Sequence, residues 1–140
     1  MKKLMVVILT ILLIASNVSC SNSETRPNEY AKLYTQQLVH EAKMDIEELK
    51  EKYVGYCCQL IVKMEYVSGD RMSFTAISTE SSNVTVIATT PDVEDQFMIA
   101  SCDAGQMLVT KGRITDVELA AGAVLLHMDV YELAEWPPKN

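Results

Sequence analysis

The sequence predicts a mainly β, α+β domain: a five-stranded barrel preceded by a helix or helix pair, with a further helix between its third and fourth strands. Three observations lead there. Apolar residues recur at three- and four-residue steps before Gly55 and at alternate positions after it. The turn-forming stretches "SGDR" and "ESSN" divide the region up to Thr90 into three alternating runs. The alternation lapses over "PDVEDQFMIASCDAG" and then resumes for two more strands.

In order along the chain, "NEYAKLYTQQLVHEAK" (28–43) lacks Gly and Pro, and Tyr30, Leu33, Tyr34, Leu38 and Ala42 make one apolar helical stripe. Asn28 is its expected N-cap, with Glu29 in the first turn. In "DIEELKEKYVG", Asp45 and Glu48 make a start like a capping box, and Ile46, Leu49 and Tyr53 form a second stripe. Gly55 stands where a helix C-terminus is capped. A break near Met44 makes this a helix pair; without it there is one long helix. Alternation over Gln59–Val67 puts Leu60, Val62, Met64 and Tyr66 on one face. Gly69 and Asp70 turn the chain into "MSFTAIST", where Phe74 shares parity with Met72 and Ala76 and is placed in the core. "NVTVIATT" completes a three-strand meander.

Pro91 suits a first helical turn, with Asp92, Glu94 and Asp95 close behind. Val93, Phe97, Met98, Ile99 and Cys102 give a short helix ending near Gly105. "QMLVTKGRITDVEL" and "GAVLLHMDVYEL" are the last two strands, and Pro137 and Pro138 stop the second. The domain is expected over residues 28–136, with 137–140 as a tail.

This is the element order of an OB-fold, a five-stranded, partly open barrel. The chain resembles small bacterial OB-fold domains of the tRNA-anti-like type, often found as lipoproteins. "EKYVGYCCQLIVKMEYV" is similar to that family's helix end, Tyr-x-Gly and first strand. "DAGQMLVTKGRI" is similar to its Gly-x-x-Val-x-Lys-Gly strand, through Gly105, Val109, Lys111 and Gly112. The likeness runs from Leu33 to Leu133, and Tyr56 departs from it where the family has a basic residue. The resemblance implies a fold and no assigned activity.

Upstream, Lys2 and Lys3 precede the apolar run "LMVVILTILLIA", which is too short to span a bilayer but suits a secretory signal. Residues 1–19 are read as a signal peptide. Val18-Ser19-Cys20 resembles a bacterial lipobox, with Asn17 off its pattern. The resemblance implies acylation of Cys20, cleavage before it and anchoring to the cell envelope, Ser21 favouring the outer membrane. Buried acyl chains would hold it there, at about 0.8 kcal/mol per CH₂. Residues 20–27 then form a tether to the domain.

Removing residues 1–19 leaves 121 residues, enough for one domain with a real core, carrying ten basic residues against 19 acidic. An acidic chain repels phosphate backbones, and binding of single strands wants a positive groove and stacking aromatics. Phe74 is the one aromatic on the second and third strands, and Lys63, Arg71, Lys111 and Arg113 are the basic residues across the barrel. Nucleic acid is accordingly disfavoured. The expected role is a non-catalytic envelope module holding a protein or glycan partner on the barrel face. By fold analogy alone, its contacts are placed at Arg71, Ser73, Thr75, Thr85 and Thr89.

Two alternatives are a thiol-based redox or enzymatic protein using Cys57 or Cys58, and an OB domain for single-stranded nucleic acid. Cys57, Cys58 and Cys102 are expected to be small buried hydrophobes, since strand topology keeps Cys102 far from the other two. His127 and Asp129 share a strand face but are too few to hold a metal. The acidic band Glu41, Asp45, Glu47, Glu48 and Glu51 reads as a solvated helix face. Neither a nucleophile elbow, a Walker loop, GxGxxG nor HExxH occurs, and no metal or cofactor is expected.

Overall fold

The structure, a computed structural model, describes residues 29–138. The expected signal peptide, Cys20, the tether and the Asn28 cap lie outside the described residues.

The elements are β1 (Ala31–Lys32), α1 (Thr35–Met44), α2 (Ile46–Tyr53), β2 (Cys57–Val67), β3 (Ser73–Ser78), β4 (Val84–Thr89), α3 (Val93–Ala100), β5 (Met107–Ala120) and β6 (Ala123–Glu135). Hydrogen bonding runs β2-β3-β4-β6-β5, and β5 returns to β2. That closes a five-stranded barrel, antiparallel throughout except for the parallel β4–β6 pair. With α3 between β4 and β5, this is the OB-fold the element order predicts.

The helix pair forms as the break near Met44 suggests. The Asp45 carboxylate accepts from the backbone N–H of Glu47 at 3.1 Å and of Glu48 at 3.2 Å, capping α2. Both helices dip into the barrel core: Leu38, Ala42, Leu49 and Tyr53 join Val62, Phe74, Val86, Leu108, Leu126 and Met128 in one apolar cluster. Thr35 Oγ1 and Ser78 Oγ, both buried, meet at 2.7 Å and tie the start of α1 to the end of β3. Gly55, at φ +91, then leads the chain from α2 into β2.

The first helix starts six residues later than expected, its N-cap being Tyr34 rather than Asn28. Ala31 and Lys32 pair instead, in parallel, with Cys58 and Gln59, and Leu33 N–H donates to the Gln59 carbonyl at 3.0 Å. β3 reaches β2 only from Val62 onward. The first turn of β2 therefore has an open edge, and β1 satisfies its backbone.

Two more expectations are corrected by packing. A bulge at Glu65, between the Met64↔Ala76 and Tyr66↔Thr75 pairs, reverses the parity of β2. Tyr66 leaves the core face and is 63% exposed, whereas Leu60, Val62 and Met64 stay buried. α3 begins at Val93 rather than at Pro91 and packs through Ile99, leaving Val93 and Phe97 62% and 71% exposed.

The glycines of "DAGQMLVTKGRI" have structural reasons. Gly105 turns at φ +92 into β5. At Gly112, beside a register shift, a Cβ would overlap the carbonyl of Asp129 on β6.

Candidate functional site

β3 and β4 contain no charged residue. Their inward side chains, including Phe74, Ala76, Val84, Val86 and Ala88, fill the core. The outward ones pair as Ser73↔Thr89, Thr75↔Ile87 and Ile77↔Thr85. β6 extends these rows with Asp129, His127 and Leu125. β2 extends two of them with Tyr66 beside Thr75 and Lys63 beside Ile77. Directly paired residues share a face. The row Tyr66–Thr75–Ile87–His127 thus crosses four strands, about 14 Å at roughly 4.8 Å per strand, with a ring at each end.

The structure brings Ser73, Thr75, Thr85 and Thr89 together on this outer face, and Arg71 sits at its end in the β2–β3 turn. Arg71 has φ +62. The turn is held by Asp70, whose carboxylate accepts from Ser68 Oγ at 2.6 Å and from Met72 N–H at 3.0 Å. The Ser68 hydroxyl first, and then the Met72 N–H, hold the Asp70 pKa below its ordinary value. Tyr66, Ile87 and His127 are members of the face that the sequence does not mark as candidates. For Tyr66 the alternation runs unbroken through Glu65, so no local signal announces the bulge.

The cations divide into two groups. Lys111 Nζ lies 3.6 Å from Glu132, and Arg113 reaches Asp129 at 3.6 Å. Lys63 and Arg71 flank the uncharged strands, with Glu65 nearby. His127 and Asp129 do share a face, but each turns to its own partner on β5, His127 Nε2 meeting Glu118 Oε2 at 2.7 Å. Among the described residues, no three His, Cys, Asp or Glu side chains gather as a metal site would need. The band from Glu41 to Glu51 lies on α1, α2 and Asp45 between them.

Cys58 is the buried small hydrophobe expected, and burial pushes its thiol pKa up to about 12. Cys102 is half-buried; its Sγ lies 3.2 Å from the Met98 carbonyl, and burial first, then Glu135 and Asp103, raise its pKa. Both are free thiols. Cys57 is buried as expected, but it is disulfide-bonded rather than a free thiol.

No protein-family model and no curated protein matches the chain. Among solved structures it is similar to U. maydis Replication protein A bound to ssDNA, at 16% identity and a TM-score of 0.44, over 79% of this chain and 76% of that one. It is also similar to an aspartyl tRNA synthetase from Entamoeba histolytica, at 16% identity and a TM-score of 0.39. That match covers 82% of this chain and 27% of the synthetase, so the chain spans about a quarter of that enzyme's length. Such likeness is one of fold. The expectation that set nucleic acid aside for a protein or glycan partner is corrected by the outer face itself, where β3 and β4 carry no charge and Tyr66 is exposed. That expectation rested on net charge and on Phe74 as the one aromatic, whereas much of the acid lies on the helices and the Glu65 bulge adds Tyr66 to the outer face.

Proposed function

We propose that the chain is a non-catalytic module that binds single-stranded nucleic acid across the outer face of β2, β3, β4 and β6. The observation that carries this reading is Tyr66, turned outward by the bulge and 63% exposed beside the uncharged Thr75–Ile87 row. An exposed ring on a pleated face is a platform for a base, and such stacking contributes about 1–3 kcal/mol per base. Ile87 extends the apolar floor, and the hydroxyls of Ser73, Thr75, Thr85 and Thr89 supply donors and acceptors that any base or sugar can use. Lys63 and Arg71 are placed for backbone phosphates. Local charge, rather than the total of −7, governs what approaches this face. The buried Cys58 thiol stays protonated at neutral pH, which supports a binding role over thiol chemistry.

Fluorescence anisotropy with a labelled oligothymidylate at low salt tests the proposal. Binding is expected, weakened about tenfold by Tyr66→Ala, in keeping with the stacking contribution. A flat titration with the folded protein overturns it.

We further propose that residues 1–19 direct export and that Cys20 carries the lipid its lipobox-like setting suggests. Labelling with a palmitate analogue should vanish in Cys20→Ala. Finding Cys20 disulfide-linked by mass spectrometry defeats the idea, since a thiol in a disulfide cannot also form a thioether.

A further inference from the structure

A cavity of about 650 Å³ opens between the start of α3 and the outer surface of β5 and β6. This is within the size range of ligand sites, roughly 300–1,000 Å³. Val109 and Leu133 contribute apolar surface, and Tyr131 lines it as well. Val93 lines the α3 side, and Phe97, one helical turn on, continues the same exposed stripe. The fold makes no use of this stripe, because α3 packs through Ile99. Exposed apolar surface beside a cavity and rimmed by charge is a mark of an interaction site.

The rim is mostly negative. Asp92, Glu94, Asp95 and Glu132 line the cavity, and Lys111 is the one cation among the lining residues. This excess of negative charge repels phosphate and favours cations. The groove is therefore no extension of the nucleic-acid face; its chemistry is the opposite. We propose that it is a separate docking site, and that its occupant is a basic amphipathic segment of a partner protein. The segment's apolar side chains would lie on Val109, Leu133 and the Val93–Phe97 stripe, and its lysines or arginines would meet the carboxylates.

Anisotropy with a labelled ten-residue peptide alternating Lys and Leu tests this, with a Glu–Leu peptide as control. The Lys–Leu peptide should bind and the control should not. Glu94→Lys with Glu132→Lys should weaken binding at least about tenfold, and Phe97→Ala about fivefold. All three residues are exposed, so these variants keep the fold. Glu47→Lys with Glu51→Lys changes net charge equally on α2 and should leave affinity unchanged; an equal loss there means diffuse attraction and overturns the proposal. Oligothymidylate binding should survive the groove variants, which separates failure here from failure of the nucleic-acid reading. No binding of the Lys–Leu peptide, or binding that appears only in Arg26→Glu, also overturns it. The latter result would assign the groove to the chain's own N-terminal segment.

Discussion

A thiol sealed in a barrel behaves as a small hydrocarbon until the barrel opens. Cys58 is fully buried and its pKa rises from an ordinary 9.0 to about 12. Below about pH 9 the thiol is protonated in both the folded and unfolded chains, so it gives stability no pH dependence. Between 9 and about 12 the unfolded thiol ionises while the folded one keeps its proton, so stability falls as pH rises. Urea unfolding at about pH 8 and about pH 10.5 should show this loss, and Cys58→Ala should reduce it. Ellman's reagent should reach Cys58 only on unfolding. Burial of this residue was legible from the habit of cysteine to pack as a small hydrophobe. The outward turn of Tyr66 was not, because parity assumes a regular register and one extra residue at Glu65 reverses it. The same slip hid an exposed aromatic on the outer face.

Whole elements were readable where their signals are local. Asp45 with Glu48 spells the start of α2, and Asp45→Ala should cost about 1 kcal/mol in chemical denaturation. The β5–β6 hairpin turns through Ala121 at φ +52 and Gly122 at φ +80, the signs of a type I′ turn. Alanine is strained there and Asn-Gly is the preferred pair, so Ala121→Asn should raise stability by roughly 0.5–1 kcal/mol. The start of α1 was not readable, because what stops the helix from beginning at residue 28 is a strand partner at Cys58 and Gln59, far along the chain. Periodicity likewise announced α3 without saying which of its sides is covered. Val93 and Phe97 satisfy a helical stripe as well as Ile99 does, and only the packed barrel separates them.

For the whole molecule, element order was enough to recover the barrel, since this succession of strands and helices has few ways to close. Total charge was the misleading quantity, being blind to where the acid lies. Glu41, Asp45, Glu47, Glu48 and Glu51 sit on α1, α2 and the residue joining them, and β3 and β4 are neutral. With Lys63 and Arg71 as the cations flanking that face, about two phosphates would be neutralised. The logarithm of affinity should then fall against the logarithm of salt with a slope near −1.4, measured by anisotropy from low to physiological salt. A slope steeper than about −3 would place the strand on other cations.

Barrel closure also constrains assembly in time. Cys57 must find Arg113, and Lys63 must find Met107, across the meander and α3. Bringing such distant stretches together carries a loop-closure cost and puts folding on the millisecond-to-second scale common to β-barrels. On a ribosome, a nascent chain could not seal its interior until β6, which joins β4 to β5, had emerged, and until then the apolar strands of the meander would need shielding by a chaperone.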